Sequence, residues 1–385
     1  MNIFLFLSGV FLFTFLAGRV LQTLRIPWIF SALLLGGIFA IYNPFSLITN
    51  SESFTFLSNL GMYFLLFIIG FEINLKQISE KRAFIMKTAF VVIFSNTLFG
   101  SLFIHYVFDY NWLISVIVAL SFSTVGEAIL VPILDEFNIT KSSLGQTILS
   151  VGTFDDVLEI LTLVFVILFV GAGIHGQLSI LIISMSLLVL FLMTFGLSRL
   201  KTQGERFSYL KIEPLFLFVI ATMFLFIGVG EYAEASALGA VLAGIGLRTF
   251  IPDERLEAIE NEVKAVCYGI FAPIFFFWVG LGLNIDYLLE NYFLVILTII
   301  ISSGAKFLAT ILFCRKELGM VNSLLLSTGL SVRFSTSIVV MKILYDNGIV
   351  ADNLYSVIIA SSIILTFIVP IVLSQLLKEH FSEVY

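Results

Sequence analysis

Two adjacent carboxylates, Asp155 and Asp156, lie in the middle of an apolar stretch that reads LSVGTFDDVLEILTLV. In a low-dielectric environment the two cannot both ionise cheaply, because burial and mutual repulsion favour the protonated form of at least one. At low pH such a site holds protons. At higher pH, or when Na⁺ arrives, the carboxylate oxygens can bind the hard cation instead. We interpret Asp155 and Asp156 as ligands for which protons and a transported metal ion compete.

Other charged residues also fall within apolar stretches, where each charge is costly and usually functional. Lys306 is a suitable counter-charge for Asp155 and would be displaced when a cation binds there. A salt bridge that only stabilises the core is the alternative. Glu127 and Arg333 lie in two corresponding polar segments and could pair with each other. That pair would either hold the segments together or take a direct part in ion binding.

Those two polar segments are predicted to interrupt their helices. The first contains Ser123, Thr124 and Gly126, and the second contains Ser335 and Thr336. Serine and threonine side chains compete for backbone hydrogen bonds, and glycine weakens a helix. We expect breaks near 123–127 and 332–336, where free carbonyl and N–H groups would be available to ions.

The composition places these residues in a membrane. The chain has 385 residues, of which 59% are hydrophobic and 12% charged, with a mean hydropathy of +1.10. Soluble domains carry roughly a quarter charged residues. Apolar segments long enough to cross a bilayer follow one another along the chain. The polar residues, glycines and prolines that separate them predict about thirteen helices. These are 2–21, 27–42, 54–73, 84–107, 112–134, 142–171, 178–198, 212–230, 233–248, 264–283, 291–313, 319–344 and 352–377.

The charges between these helices are one-sided. All basic residues except Lys306, Arg333 and Lys342 fall in alternate loops, while the other loops carry acids only. The positive-inside rule makes the basic side cytoplasmic. We therefore expect a multi-pass protein of the plasma (inner) membrane, with its N-terminus outside the cell and its C-terminus in the cytoplasm. We expect the first helix to be retained and no soluble regulatory domain. The two cysteines have neither disulfide nor metal-ligand spacing, and nothing predicts a cofactor.

The two halves of the chain resemble each other at an offset of 210 residues. MYFLLFIIGFEINL (62–75) aligns with APIFFFWVGLGLNI (272–285), which pairs Gly70 with Gly280. LSFSTVGEAILVPIL (120–134) aligns with LSVRFSTSIVVMKIL (330–344), and SALLLGG (31–37) resembles SALGAVLAG (236–244). The shift corresponds to an odd number of helices, so the repeats run in opposite directions. Inverted repeats are typical of secondary transporters, with the site at the repeat interface.

The SFST segment, GTFDD, PIFFFWVGLGLNID, AKFL and the arginine of the second break occur in an order that resembles the cation:proton antiporter superfamily. Within it the chain is similar to bacterial sodium/proton antiporters related to the Kef-type branch. The resemblance implies an all-α polytopic fold with inverted repeats and two crossing discontinuous helices (the NhaA/NapA-like antiporter fold). It also implies a homodimer, no enzymatic activity, and exchange of Na⁺ or Li⁺ for H⁺ in pH homeostasis.

Carried onto this sequence, the resemblance implies residue roles and a division of the single transmembrane domain. Asp156 would be the principal carrier of ion and proton, with Asp155 beside it, Lys306 as partner of Asp155, and Thr124 and Val125 contributing at the break. A panel for dimerisation would comprise 1–75 and 210–285. A mobile core would comprise 84–172 and 290–377, with a linker helix at 178–198.

Glu127 and Ser335 depart from the pattern of relatives and leave the choice of cation open. K⁺/H⁺ exchange is therefore an alternative to Na⁺/H⁺ exchange. A sodium-coupled solute symporter is an alternative from another class, since a similar fold supports that activity. An intramembrane aspartyl protease is disfavoured, because its two aspartates belong on different helices.

Overall fold

In the computed structural model, helices are the regular secondary structure of the residues that it describes, and short turns and irregular stretches join them. These are 2–23, 26–72, 82–123, 177–200, 211–232, 235–332 and 335–381, with scattered positions between 134 and 166. No strand occurs within these ranges.

The helices reproduce most of the predicted segments. In chain order they are α1 (Ile3–Thr23), α2 (Phe30–Ile41), α3 (Ser46–Thr49), α4 (Glu52–Glu72), α5 (Arg82–Phe108), α6 (Trp112–Ser121), α7 (Gln177–Arg199), α8 (Ile212–Glu231), α9 (Ser236–Phe250), α10 (Asp253–Val266), α11 (Ala272–Leu281), α12 (Ile285–Glu290), α13 (Tyr292–Gly329), α14 (Ser335–Asp346) and α15 (Asp352–Phe381).

Seven helical segments in the described part of the chain are long and apolar enough to cross a bilayer, and four shorter helices are similarly apolar. Large apolar side chains lie on the molecular surface, among them Phe4 and Leu312, which are 75% and 80% exposed. An aqueous surface would not tolerate many such residues, whereas lipid does. The chain is a multi-pass membrane protein.

The chain divides into two compact units. The first comprises 1–12, 43–73 and 163–278, and the second comprises 13–42, 74–162 and 279–385. In the first unit α4 packs against α9, and in the second α5 packs against α13 and α6. The division into a panel, a core and a linker helix remains a prediction.

Two close backbone contacts reflect the internal repeat. In the first unit a Cβ atom on Gly70 of α4 would overlap with the carbonyl oxygen of Val241 in α9. In the second unit a Cβ atom on Gly280 of α11 would overlap with the carbonyl oxygen of Leu33 in α2. Helices α4 and α11 are repeat mates, and so are α2 and α9. Equivalent glycines therefore meet the backbones of equivalent helices, which supports the repeat found in the sequence.

The predicted interruption in the second polar segment is present. Helix α13 ends at Gly329, Leu330 and Ser331 form a turn, and α14 begins at Ser335. At the first segment, α6 ends at Ser121, and the residues that follow Ser123 lie outside the described ranges. A further kink divides α13 at Gly319, whose φ of 80° is accessible to glycine without strain.

Helix α10 differs from the prediction, which began a helix at 264. The chain is helical from Asp253, and a π-helical turn, Cys267–Phe271, joins α10 to α11. Asp253 and Glu254 lie in the first turn, where acids interact favourably with the helix dipole. The segment is polar but amphipathic, and its buried Ile259 and Val263 hold it against the protein. Hydropathy alone therefore missed it.

Candidate functional site

Asp155 lies in a helical segment of the second unit. Thr147–Gly152, Asp155, Leu158 and Thr162 are all helical, and the Thr162 hydroxyl donates a 2.9 Å hydrogen bond to the carbonyl oxygen of Leu158. The Asp155 side chain is only 2% exposed. This segment therefore places a carboxylate inside the protein, where its charge requires compensation by a proton, a cation or hydrogen bonds.

Lys306 belongs to the same unit and is completely buried in α13. Its Nζ atom donates a 2.6 Å hydrogen bond to the carbonyl oxygen of Leu330. Leu330 is the C-cap of α13, so the ammonium meets a helix end whose carbonyl groups lack intrahelical partners. The negative end of the helix dipole favours a cation there. Lys306 thus stabilises the break between α13 and α14.

The remaining predicted site residues are outside the described positions, and their roles stay predictions. They are Asp156, Thr124, Val125, Glu127 and Arg333.

The turn after α13 is held by buried hydroxyl groups. The Ser331 hydroxyl donates to the Ser327 carbonyl oxygen at 2.8 Å, and the Thr328 hydroxyl donates to the Leu324 carbonyl oxygen at 2.9 Å. Ser331 and Thr328 are each 2% exposed. These bonds satisfy the hydroxyls within their own helix, so the polar segment ends α13 without burying unpaired hydroxyls.

Lys342, the third basic residue within an apolar stretch, is buried close to an acidic side chain of its own helix. It is 3% exposed, and its Nζ atom lies 2.6 Å from Oδ1 of Asp346, one turn along α14. The ammonium also lies over the rings of Tyr345 and Tyr355, 5.0 Å and 6.0 Å from their centroids. A carboxylate and two aromatic faces compensate the buried charge locally, so the side chain has no need to reach water.

Asn284 has a role that the repeat alone did not reveal. Its Oδ1 accepts a hydrogen bond from the backbone N–H of Tyr287 and caps α12, while its Nδ2 donates to Oδ2 of Asp352 at 3.0 Å. Its backbone N–H donates to the Ser356 hydroxyl at 2.7 Å. Asn284 therefore joins the end of α11 and the start of α12 to α15. An asparagine after a glycine-rich helix end was the available signal.

Within the described residues, no cluster of three or more His, Cys, Asp or Glu side chains has the geometry of a resident metal centre. Asp155 can supply carboxylate oxygens, which suit Na⁺.

Comparison with known proteins identifies the family of the chain. The family model described as "Sodium/hydrogen exchanger, transmembrane" matches residues 10–379. The probable Na⁺/H⁺ antiporter 3 of Methanocaldococcus jannaschii is 26% identical over 94% of this chain and 93% of its own length. The Na⁺/H⁺-K⁺ antiporter GerN of Bacillus cereus is 23% identical over 94% and 92%.

Among solved structures, the sodium proton antiporter MjNhaP1 from Methanocaldococcus jannaschii has a similar fold. Its TM-score is 0.61 at 20% identity, and the match covers 98% of this chain and 96% of that one. The family model spans nearly the whole sequence, including the Asp155 segment and Lys306. The chain belongs to the transmembrane sodium/hydrogen exchanger family.

Proposed function

We propose that this protein exchanges Na⁺, and Li⁺ in its place, for protons across the membrane by alternating access. The observation that carries the proposal is the buried carboxylate of Asp155, which shares a compact unit with the buried ammonium of Lys306. Ionisable groups inside a membrane protein are expensive and usually mark ion pathways.

Competition between protons and the cation for one site explains how their movements across the membrane are coupled. A buried carboxylate pair holds protons when no cation is bound, and a bound cation removes the need for those protons. Asp156 is proposed as the principal carrier, with Asp155 beside it and Thr124 and Val125 contributing oxygen ligands. Lys306 would be released from Asp155 when the cation binds. Glu127 and Arg333 are proposed as a supporting pair at the two breaks.

K⁺/H⁺ exchange is the second candidate. The relative GerN is named as an antiporter of both Na⁺ and K⁺, and a pair of carboxylates does not by itself fix the size of the ion. Both candidates share the same residues and differ only in cation.

We place the protein in the plasma membrane with its N-terminus outside and its C-terminus in the cytoplasm, because the basic loops lie on one side. The proposed cycle is transport without chemical conversion and uses no cofactor. The proposed assembly is a homodimer.

The experiment that tests the proposal measures proton movement in proteoliposomes with a pH-sensitive dye after adding Na⁺, Li⁺ or K⁺. Wild-type protein should respond to Na⁺ and Li⁺, and Asp156→Asn should abolish the response. Asp155→Asn should lower the rate or change the pH dependence, because the second carboxylate is lost.

Asp253→Asn is the matched control, since it removes an exposed carboxylate at the start of α10. It should transport like wild type. A response to K⁺ alone would reassign the cation. No response to any of the three cations, with folded protein in the vesicles, would refute cation/proton exchange.

A further inference from the structure

The helix pair α5 and α13 contains buried polar atoms that lack hydrogen-bond partners among the described residues. They are both amide atoms of Asn96 and the hydroxyls of Thr97, Ser302, Ser303 and Thr310. Asn96 and Thr310 are 0% exposed, and Ser302 is 1% exposed. In the described part of the chain, every buried side-chain oxygen or nitrogen without a partner lies in these two helices. Such groups are costly when buried dry, so their concentration indicates a bound polar ligand.

The register of the two helices brings Asn96 to the level of Lys306. The Thr88 hydroxyl oxygen lies 3.6 Å from the Cys314 sulfur, and the predicted topology makes the helices antiparallel. Asn96 follows Thr88 by eight residues, and Lys306 precedes Cys314 by eight, which corresponds to about 12 Å along each axis. The repeat offset of 210 also pairs Asn96 with Lys306, so the axis relating the repeats passes between them.

Lys306 is flanked by hydroxyl groups on its own helix. Ser302 and Thr310 lie four residues before and after it, on the same face of α13. The Lys306 ammonium, which donates to the Leu330 carbonyl oxygen, therefore lies between two positions that carry hydroxyl groups. Internal water typically occupies sites with two to four polar partners. The side chains of Asn96, Ser302 and Thr310 provide such partners around Lys306.

We propose that Asn96, Ser302 and Thr310, here called the polar track, hold internal water around Lys306, and that this water carries protons past Thr310 to the end of the helix pair at Thr88 and Cys314. The Lys306 ammonium gives one proton to the adjacent water and becomes a neutral amine. That water passes a proton to the next one, and reversal of these steps restores the ammonium. The inference rests on the proposed exchange, in which cation binding releases Lys306 from Asp155, and it adds that the released ammonium gives up a proton.

The direction of the track follows from its neighbours. Thr310 lies between Lys306 and Cys314 along α13. Arg315 and Lys316, which follow Cys314 directly, are exposed. The exposed bases mark the end of the helix pair that reaches water. The track therefore leads from the buried ammonium to the predicted cytoplasmic surface.

Hydration can be tested without any transport measurement. Purified wild-type protein is irradiated with X-rays in H₂¹⁸O, and radiolysis of internal water oxidises the thiols that lie beside it. Mass spectrometry then measures the ¹⁸O that each cysteine has taken up. Cys314 at the end of the track and Cys267 outside it are both 0% exposed, which makes Cys267 the matched control. We expect Cys314 to take up ¹⁸O at least about fivefold faster than Cys267. Equal labelling, or no labelling of Cys314, would overturn the hydration site.

Proton transfer is tested with nearly isosteric variants in proteoliposomes. Thr310→Val and Asn96→Leu should lower the turnover of Na⁺-driven proton movement at least about tenfold and leave KM for Na⁺ within about twofold. The control is Thr298→Val, in the same helix, because Thr298 is equally buried and its hydroxyl donates to the Leu294 carbonyl oxygen at 2.7 Å. Thr298→Val should transport like wild type.

Wild-type turnover in Thr310→Val and Asn96→Leu would overturn the proton route, as would an equal loss in Thr298→Val. Ser302→Ala decides the matter if either variant fails to fold in detergent, and it should also lower turnover. If wild-type protein moves no cation, the exchange proposal fails. Selective labelling of Cys314 would then still support the hydration site, and its absence would remove both.

Discussion

The Nζ atom of Lys306 donates a 2.6 Å hydrogen bond to the carbonyl oxygen of Leu330, which ends α13. The lysine therefore binds the backbone at the break that precedes α14. A neutral amine would bind this carbonyl more weakly than an ammonium does. Any loss of the Lys306 proton is thus transmitted to the geometry of the break.

Substitution of this lysine should destabilise the protein. Lys306→Met removes the donor and leaves the Leu330 carbonyl oxygen without this bond, at a cost of about 1–3 kcal/mol. Thermal unfolding in detergent should show a lower midpoint. Lys316→Met, which changes an exposed lysine in the same helix, is the control and should melt like wild type. Equal midpoints for Lys306→Met and wild type would show that the bond contributes nothing.

The repeat-related glycines should tolerate no larger side chain. Gly70→Ala and Gly280→Ala would force helix backbones apart, at a cost of about 1–3 kcal/mol each. The matched control is Gly228→Ala in α8, because no atom lies within 4 Å of a Cβ there. That control should be neutral or stabilising, since alanine favours the helix. Unfolding curves in detergent compare the three, and a stable Gly280→Ala would contradict the close contact with Leu33.

Lys342 and Asp346 should show coupled effects. Lys342→Met leaves the half-buried Asp346 carboxylate without its ammonium partner, and Asp346→Asn leaves a nearly buried cation with weaker compensation. Each single variant should be destabilised, and the double variant should be less so than their sum, by about 1 kcal/mol or more. A double-mutant cycle of unfolding free energies measures this coupling. Additive effects would mean that the 2.6 Å contact is energetically unimportant.

Asn284 should be needed to hold α12 against α15. Asn284→Ala removes the cap on the Tyr287 N–H and the bond to Asp352, and should cost about 1–2 kcal/mol. Asn284→Asp retains the capping oxygen but places a second carboxylate beside Asp352, so it should recover the cap and not the side-chain bond. Hydrogen exchange of the Tyr287 amide distinguishes the two, with fast exchange expected only in the alanine variant. Slow exchange in both would show that the cap is dispensable.

The sequence predicted the apolar helices well, because lipid imposes one requirement on every span. Segments such as 54–73 and 212–230 agree with α4 and α8 to within two residues. Helix α10 was missed because its mean hydropathy is low. Only the 3.6-residue period of its apolar residues indicates an amphipathic helix. The serines and threonines of the second polar segment predicted a break near 332–336, and the structure has the break between Gly329 and Ser335, so it begins a few residues earlier.

The site was predicted less completely. The sequence identified Asp155 and Lys306 as buried charges, since ionisable residues in apolar segments are conspicuous. It could not indicate Leu330, because a backbone carbonyl acceptor exists at every residue and only the fold selects one. The local partner of Lys342 was also missed, although Asp346 lies four residues away in the same helix.

The paired glycine contacts bear on the ancestry of the chain. Gly70 lies in the first half of the sequence and meets a helix of the second, and Gly280 lies in the second half and meets a helix of the first. If the halves descend from one duplicated gene, both contacts were once intermolecular and identical. The ancestor would then have been a short protein inserted into the membrane in both orientations, whose opposed copies were already joined by this glycine.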